Sequence, residues 1–123
     1  MPPRRRIDRE AGMAALKAWA ASAADGPTTA TAVRFTLEEL AACAPGHSLE
    51  VRVPPYGATQ CIDGPRHTRG TPPGVVETEP TTWLRLATGV TTWEDAMKAG
   101  LVRASGERAT LAGLLPLIPE EPS

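Results

Sequence analysis

The residues best suited to chemistry lie in a polar loop at positions 66–69. Arg66, His67, Thr68 and Arg69 follow one another in a stretch rich in Gly and Pro. Two guanidinium groups, an imidazole and a hydroxyl this close together can hold a phosphate or a carboxylate. One hypothesis is therefore that Arg66, His67 and Arg69 form an anion site. Alternatively, the arginines brace the loop by pairing with nearby acidic residues, namely Asp63, Glu77 and Glu79.

The chain offers few other groups for catalysis or metal binding. Its soft ligands are Cys43, Cys61, His47 and His67, and no pair of them has the Cys-x-x-Cys or His-x-x-x-His spacing of a metal site. Cys61 and His67 could form a nucleophile and its base. However, Cys61 falls in the middle of a predicted strand, where a small buried cysteine is the commoner role. No catalytic residue, metal or cofactor is therefore expected.

Composition excludes several classes of protein. The 123 residues fit one domain, and a net charge of −1 gives no strong field for nucleic acid. No segment approaches the roughly 20 apolar residues of a membrane span. Two cysteines do not make a secreted disulfide scaffold. We expect a cytoplasmic protein, and the preference for Arg over Lys favours a GC-rich, actinobacterial genome.

An N-terminal helix is predicted to precede the main body of the protein. Asp8 can cap a helix running to about Ser22, with Leu16 and Trp19 on its apolar stripe. The stretch that follows it contains Gly-Pro and breaks the pattern. The expected organisation is an N-terminal tail and helix at 1–29, a domain at 30–118 and a disordered C-terminal tail at 119–123. The helix is a possible element for self-association or for docking a partner.

The main body shows alternating helix and strand signals. A second helix is predicted over about residues 30–44, where Thr36 and Glu39 fit a capping box that could start the helix at Thr36. Leu49-Glu50-Val51-Arg52-Val53 alternates as a half-buried strand does. The other predicted strands are 58–62, 75–78 and 101–104. The other predicted helices are 80–88, one opened by Thr91 with Glu94, and 109–115.

This order of elements resembles the sterol carrier protein (type 2) fold. The likeness is clearest from Trp83 onward, in Leu86-Ala87-Thr88-Gly89, then Ala99-Gly100-Leu101-Val102-Arg103-Ala104-Ser105-Gly106, then a Leu-rich segment. The resemblance covers about residues 30–118 and is strongest to a bacterial branch of the family. It implies an α/β (α+β) fold in which a mixed sheet of four to five short strands is covered by helices over an apolar cavity.

The resemblance implies a carrier or binding module for a hydrophobic or amphipathic small molecule, with no catalysis of its own. The expected ligand-binding residues between the sheet and the short helices are Val51, Val53, Trp83, Leu84, Trp93 and Met97. Arg66 or Arg69 would then hold an anionic head group. The alternative is a protein-interaction module, or an accessory subunit without a ligand, whose side chains fill the cavity. A third reading is an enzyme subunit whose loop contributes arginines to a shared site.

Overall fold

The computed structural model describes residues 6–64, 74–106 and 108–118, which form four helices and one four-stranded sheet. The helices are α1 (Arg9–Ala20), α2 (Gly26–Cys43), α3 (Pro80–Thr88) and α4 (Trp93–Lys98). The strands are β1 (Leu49–Val53), β2 (Gly57–Cys61), β3 (Gly74–Thr78) and β4 (Val102–Ser105). The predicted C-terminal tail, 119–123, lies outside the described residues.

The sheet is mixed, with strand order β2-β1-β3-β4. β1 and β2 form an antiparallel hairpin, β1 and β3 run parallel, and β4 returns antiparallel to β3. β2 is therefore an edge strand of the sheet. The predicted fold class, a mixed sheet of short strands with helices packed on it, is confirmed.

Within the described residues, the helices cover one face of the sheet. Leu49, Val51 and Val53 are buried, while Glu50 is half-buried and Arg52 is exposed, as the alternation predicts. Arg52 forms an ion pair with Glu50 on the uncovered face. The helices thus enclose the apolar face and leave the polar face to solvent.

The second helix begins earlier than predicted and runs without a break. Asp25 caps it by accepting a hydrogen bond from the Thr28 N–H at 2.8 Å, and Pro27 lies in its first turn. The alternative start at Thr36 is wrong, because Thr36 is a buried residue in the interior of α2. Its hydroxyl lies 2.8 Å from the Ala32 carbonyl and accepts a hydrogen bond from Trp83 Nε1, also at 2.8 Å.

The predicted N-terminal helix is present as α1, with Asp8 as its cap. It packs on α2 of its own chain, burying Leu16 and leaving Trp19 half-buried. Gly12 sits directly against the Phe35 ring, which allows the two helices to approach closely. α1 is therefore part of the same hydrophobic core as the sheet.

The last predicted helix, 109–115, is wrong. The chain there makes turns, with Gly113 at φ +85°, and Pro116 follows directly. The N–H groups of Leu117 and Ile118 both donate to the Ala87 carbonyl at 2.9 and 3.0 Å. These two hydrogen bonds satisfy a carbonyl in the last turn of α3. A helix as short as 109–115 would be only marginally stable by itself. A smaller correction is that α4 is capped by Thr92, which bonds the Asp95 N–H, and not by Thr91.

Candidate ligand groove

Four of the predicted ligand-binding residues lie in a closed core. Val51, Val53, Trp83 and Leu84 each have 0% of their surface exposed. The Trp83 indole is held by its hydrogen bond to Thr36, so its ring is fixed against α2. All four side chains belong to one hydrophobic cluster, and none has surface exposed to a ligand.

The other two predicted residues lie at the edge of this core and on the surface. Trp93 belongs to the edge of the same cluster and lines a cavity of about 220 Å³ with Leu86, Leu111 and Pro116. Met97 is 40% exposed on the surface of α4. The structure thus brings five of the six residues into one core and leaves Met97 outside it. The predicted anion-site residues Arg66, His67 and Arg69 lie outside the described residues.

A larger opening lies where α2 meets the edge of the sheet. It is a groove of about 1220 Å³ between α2, the edge strand β2 and the residues before α1, hereafter the α2–β2 groove. Its α2 wall presents Thr31, Arg34, Leu37 and Glu38; the β2 side presents Tyr56, Gly57, Ala58 and Thr59; and Arg6 and Ile7 close one end. Sequence reasoning missed this site.

Gly57 keeps the α2–β2 groove open. A Cβ placed on Gly57 would lie 3.5 Å from Leu37 Cδ1 and 3.7 Å from Arg34 Cγ, which is ordinary contact. A longer side chain at this position would therefore extend into the groove. Gly57 precedes the strand predicted at 58–62, whereas in the structure it is the first residue of β2, so no local pattern indicated the groove.

The accessible apolar part of the groove comes from two side chains, Ile7 and Tyr56, with Leu37 beneath them. Leu37 is buried beneath it, and Ile7 and Tyr56 are half-buried against the hydrophobic core. Pockets that bind small molecules are mostly apolar with a few fixed polar groups. This lining is compatible with the apolar portion of an amphipathic molecule.

Two charged side chains of α2 also line the groove, and each has a defined partner. Arg34 Nε donates to the Tyr56 carbonyl at 2.9 Å. The Glu38 carboxylate accepts hydrogen bonds from the backbone N–H groups of Arg6, at 3.1 and 3.2 Å, and Ile7, at 3.0 Å. Glu38 thereby ties the N-terminal segment to α2 and fixes one end of the groove.

The described residues provide little for catalysis. Among them, no group of three or more His, Cys, Asp or Glu side chains is placed to hold a metal ion. Burial, with a smaller contribution from the nearby Cys43 thiol, raises the pKa of Cys61 to about 11. Cys61 is also fully enclosed, so it is a neutral thiol near pH 7 and closed to a substrate. Nor does any helix in the described ranges have the length and hydropathy needed to cross a bilayer.

Comparison with known proteins identifies a family. A family profile described as "Bacterial SCP ortholog" matches residues 25–117. The match begins at the Asp25 cap of α2 and leaves α1 outside it. No individual curated protein matches the sequence.

Proposed function

This chain belongs to the family of bacterial SCP orthologs, and from that premise we propose that it binds and carries a hydrophobic or amphipathic, lipid-like small molecule in the bacterial cytoplasm. We further propose that it has no catalysis of its own. The α2–β2 groove is the proposed site. The observation that carries this proposal is an open groove of about 1220 Å³ with a partly apolar lining, beside a core that is otherwise closed.

Reversible burial supplies the proposed binding energy. Each Å² of apolar surface removed from water contributes about 25 cal/mol. A ligand chain lying on Ile7 and Tyr56 would remove apolar surface of both the ligand and the protein from water. Binding of this kind requires no large rearrangement, because the groove is already open.

The interior residues predicted from the sequence remain a second placement for the ligand. Val51, Val53, Trp83 and Leu84 are fully buried and would contact it only if α3 moved away from α2. That movement would expose the Trp83 indole and break its bond to Thr36. We favour the α2–β2 groove because binding there leaves Trp83 buried and its hydrogen bond to Thr36 intact.

Filling the groove tests the proposal. Gly57→Leu places a side chain between Leu37 and Arg34 and should lower the affinity for a fluorescent polyene fatty acid by about ten-fold or more. Gln60→Leu is the matched control, because Gln60 lies on the same strand, is exposed and does not line the groove. Equal loss of affinity in both variants, or in neither, would contradict binding in the groove. Native mass spectrometry of freshly purified protein would show whether a co-purified lipid disappears in Gly57→Leu alone.

A protein-interaction module is the second candidate function, and the closed core beneath α3 favours it. The N-terminal helix was the predicted docking element for a partner or a second copy. In the structure, the Leu16 side of α1 is occupied by α2 of the same chain. Light scattering of the full chain tests self-association: an oligomer would support this function, and a monomer would contradict self-association.

A further inference from the structure

We propose that the α2–β2 groove selects amphipathic molecules with an anionic head, a carboxylate or a phosphate, and that Arg34 holds this head. The inference rests on the proposed function, because it names the ligand class of the same groove. It follows from the way the charges on α2 are paired.

Arg34 and Glu38 lie four residues apart on α2. Side chains at this spacing are neighbours on the helix surface, and opposite charges there usually pair. Within the described part of the chain, however, no carboxylate lies within 4 Å of the Arg34 guanidinium. The expected ion pair is absent because Glu38 is turned toward the N-terminal segment.

Glu38 is committed to two backbone donors. Its carboxylate accepts the N–H groups of Arg6 and Ile7 at 3.0 to 3.2 Å. Those bonds give the carboxylate its hydrogen-bond partners without Arg34. Because Glu38 is bonded to the segment before α1, it does not form an ion pair with Arg34.

The Arg34 guanidinium is oriented without being neutralised. Its Nε donates to the Tyr56 carbonyl at 2.9 Å, an uncharged acceptor on the wall of the groove. A guanidinium has five N–H donors, and its two terminal amino groups can bind a carboxylate or phosphate through two parallel hydrogen bonds. In the described structure, no hydrogen bond engages those amino groups. A cation held by one hydrogen bond therefore stands at a groove whose apolar surface comes from Ile7 and Tyr56, which matches an oxyanion head joined to an apolar chain.

Three probes of equal chain length separate the head group from the tail. Isothermal titration calorimetry would measure binding of dodecanoate, dodecyl phosphate and 1-dodecanol below their critical micelle or solubility limits. Arg34→Met removes the charge and keeps an unbranched apolar side chain, whereas Arg34→Lys keeps the charge and loses the planar fork. Thermal unfolding of each variant confirms that the fold is retained.

We expect the wild type to prefer both anions over 1-dodecanol by about ten-fold or more. Arg34→Met should weaken both anions by about ten-fold and leave 1-dodecanol within about two-fold, with Arg34→Lys between the two. Unchanged dodecanoate and dodecyl phosphate affinity in Arg34→Met would overturn the inference. If Gly57→Leu still weakens 1-dodecanol in that case, the proposed function stands and only the head-group assignment fails. Failure of all three probes to bind the wild type would reject both.

Discussion

Replacing Gly12 by alanine tests how closely α1 is packed on the rest of the domain. A Cβ at Gly12 would lie 2.2, 2.3 and 2.6 Å from three atoms of the Phe35 ring. Real Cβ atoms do not approach other heavy atoms this closely. Phe35 is 1% exposed, so its ring has no open space to enter. Either the ring must leave its preferred geometry or α1 must move away from α2.

Two opposing contributions set the size of the effect. Alanine in place of glycine inside a helix contributes about 1 kcal/mol of stability. Overpacking a closed core costs about 1–3 kcal/mol, and overlap with an aromatic ring places Gly12→Ala at the upper end. The expected net loss is about 1–2 kcal/mol, which lowers the melting temperature of a domain this size by about 4–8 °C.

The matched control is Gly26→Ala at the start of α2, where a Cβ meets nothing within 4 Å. It should be as stable as the wild type or slightly more stable. Urea unfolding, followed by tryptophan fluorescence and far-UV circular dichroism, measures both variants. If Gly12→Ala proved as stable as Gly26→Ala, the close contact between α1 and α2 would be refuted.

Four further predictions follow from which side chains are buried. Thr36→Val should cost about 1–3 kcal/mol, since it leaves the buried Trp83 N–H without an acceptor, and Thr36→Ser should lose less in the same denaturant titration. The pKa of Cys61 is raised to about 11, so the folded state favours the protonated thiol. The contribution of this thiol to the free energy of unfolding should be constant below about pH 8.5 and fall as the pH rises toward 11. The fall should be smaller in Cys61→Ala. Iodoacetamide should accordingly label the exposed Cys43 well before Cys61 in the folded protein, as peptide mass mapping would show. Val51→Asp should give an unfolded circular dichroism spectrum, because an unpaired carboxylate in the closed core costs several kcal/mol.

Elements set by local sequence were predicted well. The alternation at 49–53 fixed both the strand and the side chains that face the core. As predicted, α3 begins at Pro80 and ends before Gly89, which adopts the left-handed conformation at φ +83°. In these segments the turn residues and the spacing of the apolar residues indicate the same structure, and the tertiary contacts agree with it.

Features set by distant contacts were not predictable in the same way. Thr36 looks like a helix start in a local window, yet its hydroxyl serves Trp83, 47 residues further along the chain. The Leu-rich segment at 109–115 has the apolar content of a helix but forms turns, and Leu117 and Ile118, just after it, donate to the Ala87 carbonyl at the end of α3. Both misreadings arise because a side chain's best partner lies outside the window that sequence patterns examine.

The candidate groove was missed for the same reason. Its walls come from α2, from β2 and from residues 6 and 7, which meet only in the folded protein. Glu38 bonds backbone groups 31 and 32 residues before it, and Arg34 bonds a carbonyl 22 residues after it. Gly57 gave no local signal either, because it lies before the predicted strand 58–62 and is only the first residue of β2.

Amide chemical-shift mapping by NMR, with dodecanoate titrated into the wild-type protein, tests ligand binding in the α2–β2 groove most directly. We expect the largest shifts at residues that line the groove, including Ile7, Leu37 and Gly57, with the amides of Val51 and Trp83 little changed. Largest shifts at Val51 and Trp83 with an unperturbed groove would show that the ligand enters the core, and would contradict the account.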